Sequence, residues 1–135
     1  MSSSYEDKIN DILFSERLNF KREVEFNNLR GVRTTPLRFD FVVFKQGRID
    51  YIIEVDGEQH FAFNKFFHRN NKIMFRRQRE YDRRKNSYCL KNNYTLYRIP
   101  YWEIENINNL GDIFNSRFLV VDKFHNDNII NDKFL

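Results

Sequence analysis

Three carboxylates stand in or beside runs of β-branched and aromatic residues: Asp40 within residues 38–44 (Arg-Phe-Asp-Phe-Val-Val-Phe), and Glu54 and Asp56 within residues 52–56 (Ile-Ile-Glu-Val-Asp). Such runs read as strands due for burial, and a buried carboxylate is costly unless a cation compensates it. Two like charges about 4 Å apart repel by roughly 4 kcal/mol at an effective dielectric near 20. A divalent ion between them reverses that sign. In an extended strand Ile52, Glu54 and Asp56 share one face, and Asp40 on a neighbouring strand falls within about 5–8 Å of them. Oxygen-only donors of this kind suit Mg²⁺ or Mn²⁺. Such an ion acidifies bound water and stabilises charge on a phosphoryl oxygen, the chemistry of phosphodiester hydrolysis. The other reading of Asp40 and Glu54 is a buried ion pair with Arg38, Arg98 or another basic residue.

Several elements must position these acids. The spacing of Ile9, Ile12, Leu13 and Leu18 predicts a helix over 5–19, with Ser3 and Glu6 as a capping box. Val24 and Phe26 predict a short strand over 22–26, and residues 28–36 read as a polar turn. Strands over 38–45 and 48–55 are joined by Gln46-Gly47, a hairpin signal. After an irregular aromatic-basic stretch over 58–72, a helix over 73–92 stacks Phe75, Gln78, Asp82, Lys85 and Cys89 on one face. A strand over 94–99 stops at Pro100. Short helices are expected over 102–107 and 110–114, and a possible edge strand over 118–121, with a fraying tail beyond. Trp102 is expected in the core. The order predicts an α/β fold with a small mixed β-sheet flanked by helices on both faces.

The chain has 135 residues, enough for one domain with one core. A core over about 5–105 and a C-terminal extension over 106–135 are expected. The single cysteine, Cys89, precludes an intramolecular disulfide, and with only His60, His68 and His125 beside it a structural zinc cluster is excluded. The start is polar, without an apolar leader core, and no apolar run approaches the ~20 residues of a membrane span. A soluble, intracellular, non-secreted protein without a membrane partner is expected. The net charge of +4 is uneven: residues 65–85 hold nine Lys/Arg against Glu80 and Asp82, a balance of +7 that leaves −3 elsewhere. A local positive block suits a polyanion such as DNA, with Lys72, Arg76, Arg77, Arg79, Arg83 and Arg84 as phosphate contacts; the alternative is a solvated helix face. Phe61, Phe63, Phe66 and Phe67 are candidates for core packing or a lid, or for stacking on bases.

Taken in order, Asp40, Glu54, the segment Glu54-Val55-Asp56-Gly57-Glu58-Gln59-His60, the helix segment Tyr81-Asp82-Arg83-Arg84-Lys85-Asn86 and the strand Leu96-Tyr97-Arg98-Ile99 resemble the PD-(D/E)XK nuclease superfamily. The likeness is to its small phage and bacterial branch related to very short patch repair endonucleases, and it spans roughly residues 5–105. It implies a restriction-endonuclease-like core and an Mg²⁺- or Mn²⁺-dependent DNA endonuclease, whether nicking, homing-type, repair or junction-cleaving. Asp40 and Glu54 would be ligands, with help from Asp56 or from a helix-1 glutamate, Glu6 or, failing it, Glu16. The chain departs from the family pattern at Phe39, where proline is usual, and at Asp56, where the family carries lysine. The resemblance therefore implies that Lys85, Gln59 or His60 replaces that lysine, or that activity is altered or lost. His60, just past the acidic strand, is also a candidate general acid or base, and Asp82 with Lys85 is a functional pair or an intrahelical ion pair. A catalytically inactive nucleic-acid-binding domain and an RNA-cleaving enzyme stay open as alternatives. One site cuts one strand, so double-strand cleavage would need a homodimer or two successive nicks. The Asn-, Ile-, Lys- and Phe-rich composition suits an AT-rich phage or viral genome.

Overall fold

Helix α1 (Ser4–Ser15) is stopped by backbone geometry. Arg17 takes a left-handed conformation (φ 57°), its N–H donates to Phe14 O, and the Leu18 N–H donates to Leu13 O at 3.2 Å. This pair of bonds is a Schellman closure, and it turns Leu18 back onto the core. The helix is thus shorter than its apolar spacing predicts, because an arginine occupies a position where glycine or asparagine is the usual signal. Strand β1 (Asn19–Arg30) follows directly and absorbs the region predicted as short strand plus turn. A tight 3-10 turn (Val32–Thr34) then leads into β2 (Pro36–Lys45). Gln46 and Gly47, both at positive φ, make the expected hairpin turn into β3 (Arg48–Asp56).

The computed structural model describes residues 4–58 and 72–124. Ser3, Gln59, His60, the four phenylalanines between 61 and 67, and the tail from 125 onward lie outside them. Helix α2 (Lys72–Lys91) is closed like α1, with left-handed Asn93 and a Tyr94 N–H bond to Cys89 O. Strand β4 (Leu96–Pro100) comes next, then a 3-10 segment (Tyr101–Asn106), a short helix α3 (Leu110–Ile113) and β5 (Leu119–Val121).

The five strands form one mixed sheet in chain order. All neighbours are antiparallel except β3 and β4, which run parallel, as a connection through a helix requires. One face packs Phe41, Val43, Ile53 and Val55 against Ile9 and Leu13 of α1 and against Ile104, Ile107, Ile113 and Phe118. The other packs Leu37, Phe39, Ile52 and Leu96 against Cys89 of α2. Helices therefore cover both faces. Among the described residues past 105, Ile107, Ile113, Phe118, Val120 and Val121 are buried in the core. Trp102, expected in the core, is half-exposed beside Tyr101.

Candidate metal centre and basic helix

Register places Asp40 opposite Glu54, since Phe41 pairs with Ile53 and Val42 with Ile52. The backbone ladder stops there and the side chains continue it. The Asp40 N–H donates to Glu54 Oε1 at 3.0 Å, and the Val55 N–H donates to Asp40 Oδ2 at 2.7 Å. Each carboxylate thus holds the backbone of the other's strand, fixing both acids where the strands part.

On the other side of Asp40 the sheet changes face. Leu37 and Phe39 pack towards α2, whereas Phe41 and Val43 pack towards α1. In β1, Phe20 lies on the α1 side while Val24 and Phe26 lie on the α2 side. Simple alternation would keep each set on one face, so both strands reverse at the same level. Arg22 pairs with Phe41 and Val24 with Phe39, which puts Glu23 across from Asp40. Glu23 sits at φ 53°, a left-handed conformation rare and strained for a non-glycine strand residue.

This reversal gathers Glu6 of α1, Glu23 of β1 and Asp40 of β2, each offering one carboxylate oxygen within 4.8 Å of the others. The sequence pointed to Glu6 and Asp40 but not to Glu23: a strand with Val24 and Phe26 inward sends Glu23 to solvent, and nothing in its residue type announces the left-handed turn. Glu16 is exposed after the end of α1 and is not in the cluster.

Lys85 reaches the same centre from α2, its Nζ 3.3 Å from Glu54 Oε2. Burial pulls the Lys85 ammonium down, but Glu54, with Asp40 and Asp82, outweighs burial and Arg98, so its pKa is raised and it stays charged. Asp40 is pushed well above the usual carboxylate range, first by burial, then by Glu54. Lys85 and the Val55 N–H only partly offset this, and Glu6 adds to it. Among the described residues, Lys85 pairs with Glu54, and Arg22 Nη2 lies 3.7 Å from Glu6 Oε1. The all-oxygen donor set of Glu6, Glu23 and Asp40 is of the kind that suits a divalent hard cation such as Mg²⁺ or Mn²⁺.

Asp56 does not join this cluster. Its Oδ1 accepts from Nη1 of the fully buried Arg98 at 2.8 Å. Arg98 also bonds Asn86 Oδ1 (2.7 Å) and the Asp82 carbonyl, and lies 3.6 Å from the Asp82 carboxylate. The salt-bridged alternative therefore describes Asp56, and it tempers the expectation of Asp56 as a ligand: the two acids share a strand face, but a guanidinium from β4 answers the second. Asp82 belongs to this network too: its carboxylate lies 3.6 Å from Arg98 while Lys85 pairs with Glu54, and the Asp82 charge also helps to hold Lys85 protonated.

Lys72, Arg76, Arg77, Arg79, Arg83 and Arg84 are all exposed on α2, whereas Asn86 and Cys89 of the same helix are buried. Arg83 and Arg84 pair with Glu80, and Arg84 Nη1 also donates to the Arg30 carbonyl at 2.9 Å. Gln59 and His60, expected as catalytic, lie outside the described residues. Among the described residues, no helix is long and apolar enough to cross a membrane.

No family model matches the chain. No solved structure matches it. A 49-residue stretch, 36% of the chain, is 41% identical to Uncharacterized protein 033L of Invertebrate iridescent virus 3. That stretch covers only 25% of the viral protein, so the two are similar over a segment and not as wholes.

Proposed function

We propose that the protein is a metal-dependent endonuclease of PD-(D/E)XK type that hydrolyses phosphodiester bonds in DNA and acts inside a cell, with the viral similarity in keeping with a viral origin. The observation that carries this reading is the mutual clasp of Asp40 and Glu54 at the point where β2 and β3 part, with Lys85 on the second carboxylate. Asp40, Glu6 and Glu23 would hold the ion, with Glu54 at its edge. A bound Mg²⁺ or Mn²⁺ supplies an acidified water and charge neutralisation at the phosphoryl oxygens. Lys85, charged and half-buried, occupies the part that the family gives to a lysine two residues after the glutamate. It is placed to donate a hydrogen bond to the attacking water or to a phosphoryl oxygen. The arginines of α2 hold the substrate backbone, which positions without specifying sequence.

The test is cleavage of linear, nicked, flapped and four-way DNA, with matched RNA in parallel, in Mg²⁺ or Mn²⁺. Cutting of DNA by the wild type, lost in Asp40→Ala and Glu54→Ala while binding persists, is the expected result. The engagement of both Glu54 oxygens, one by Asp40 N–H and one by Lys85, favours the second reading, a nucleic-acid-binding domain without catalysis. Wild-type binding with no cutting of any substrate in either metal would establish that second reading instead.

A further inference from the structure

The tip of the β1–β2 hairpin is a rigid basic platform set against α2. Arg33 and Thr34 are both left-handed (φ 56° and 58°), an arrangement that persists only where the surroundings impose it. They do so here: the Gly31 N–H donates to Thr35 O, the Thr35 hydroxyl to Val32 O, and the Arg30 guanidinium to Asn27 O. From α2, Tyr81 Oη accepts the Val32 N–H at 2.9 Å and Arg84 donates to Arg30 O. Gly31 is required by this docking, because a Cβ there would lie 2.7 Å from the Tyr81 ring. Between tip and helix runs a groove of about 300 Å³ lined by Val32, Ile73, Tyr81 and the arginines 76, 77 and 84, with Glu80 already paired to Arg84. Val32 is exposed on its apolar side, and Arg33 is exposed next to it.

We propose that this groove takes one strand of DNA at a break in the duplex: the sugar-phosphate on Arg33, Arg76 and Arg77, and the apolar face of an unstacked base or sugar on Val32 and Tyr81. The charge argues for a polyanion, since three lining arginines and Arg33 stand against one acid, Glu80, which leaves a balance of +3. The apolar floor argues for a broken or gapped strand, because a continuous duplex keeps its base faces stacked and offers such a floor little. Pro36, paired with Arg30 at the base of the tip, is four extended residues from Asp40, about 13 Å at 3.3 Å per residue. A strand held at the tip thus runs on towards the metal centre, and in this the inference rests on the nuclease reading.

The experiment measures binding by fluorescence anisotropy in EDTA, with a gapped duplex and its continuous counterpart, across a salt series, and cleavage separately in Mg²⁺. Asparagine tolerates the left-handed conformation, so Arg33→Asn removes charge without adding strain, and an unchanged melting temperature confirms that the variant is folded. The wild type should prefer the gapped duplex, and Arg33→Asn should weaken its binding and lower the log–log salt slope by about one. Arg33→Lys should restore both, and Val32→Ser should erase the preference for the gap while keeping the slope. Wild-type affinity and slope in Arg33→Asn, equal binding of both duplexes by the wild type, no binding of either, or competition by an acidic peptide as effective as by an oligonucleotide of equal charge would each overturn the proposal. Absence of cleavage with the binding pattern intact would remove only the nuclease reading.

Discussion

Asp40 carries much of the strain of the centre, because burial, Glu54 and Glu6 all press on one carboxyl that Lys85 and the Val55 N–H only partly relieve. A carboxyl held to a raised pKa favours the folded state in acid, below its unfolded value near 3.9, and loses that contribution as pH rises through its folded-state value. Asp40→Asn should therefore make the metal-free protein more stable at neutral pH than the wild type, and the difference should vanish in acid. The same change should abolish the stabilisation that saturating Mn²⁺ gives the wild type, about 2.7 kcal/mol at a hundredfold excess over Kd; thermal melts with and without the ion check both. Lys85→Met would leave Glu54 buried and unpaired, a loss of about 3–5 kcal/mol. Adding Glu54→Gln should recover much of that loss in denaturant melts. The sequence made Asp40 and Glu54 legible because acids inside apolar strands need a cation. It could not say which cation answers which acid: register pairs Arg98 with Glu54, yet its guanidinium reaches Asp56.

Helix α2 carries Lys85 and the exposed arginines, and Arg98 fixes it to the sheet through Asn86, Asp82 and, across β3, Asp56. Arg98→Met should cost about 3–5 kcal/mol by removing the buried guanidinium from which Asp56 Oδ1 accepts. Its urea m-value should stay unchanged, since the surface exposed on unfolding is the same. At the other anchor, Gly31→Ala forces a methyl into the Tyr81 ring and should cost about 1–3 kcal/mol, as overpacking does; chemical denaturation reads the difference. Elements whose signals are local were legible. Gln46-Gly47 marks its turn, and the helical face of Asp82, Lys85 and Cys89 is the one that meets the sheet. The end of α1 and the face reversal at Glu23 were not, because both depend on left-handed residues, Arg17 and Glu23, of types that do not favour that conformation. Their conformations are imposed by the packing around them.

Across the molecule, charge is segregated: the acids converge where β1, β2 and β3 meet α1, while the arginines of α2 point outward. A mixed sheet with helices on both faces is what brings these two regions onto one body, and that much followed from the order of elements in the sequence; the chain order of its strands did not. The packing of residues 107–121 into the core did not, since short, weakly periodic segments give little sign of where they dock. The central claim is that a divalent ion belongs among Glu6, Glu23 and Asp40. Anomalous scattering from a crystal grown with manganese tests it most directly. One peak bonded to Asp40 and at least one of the two glutamates is the result predicted here, and no peak, with these acids splayed apart or bound to arginines, would contradict it.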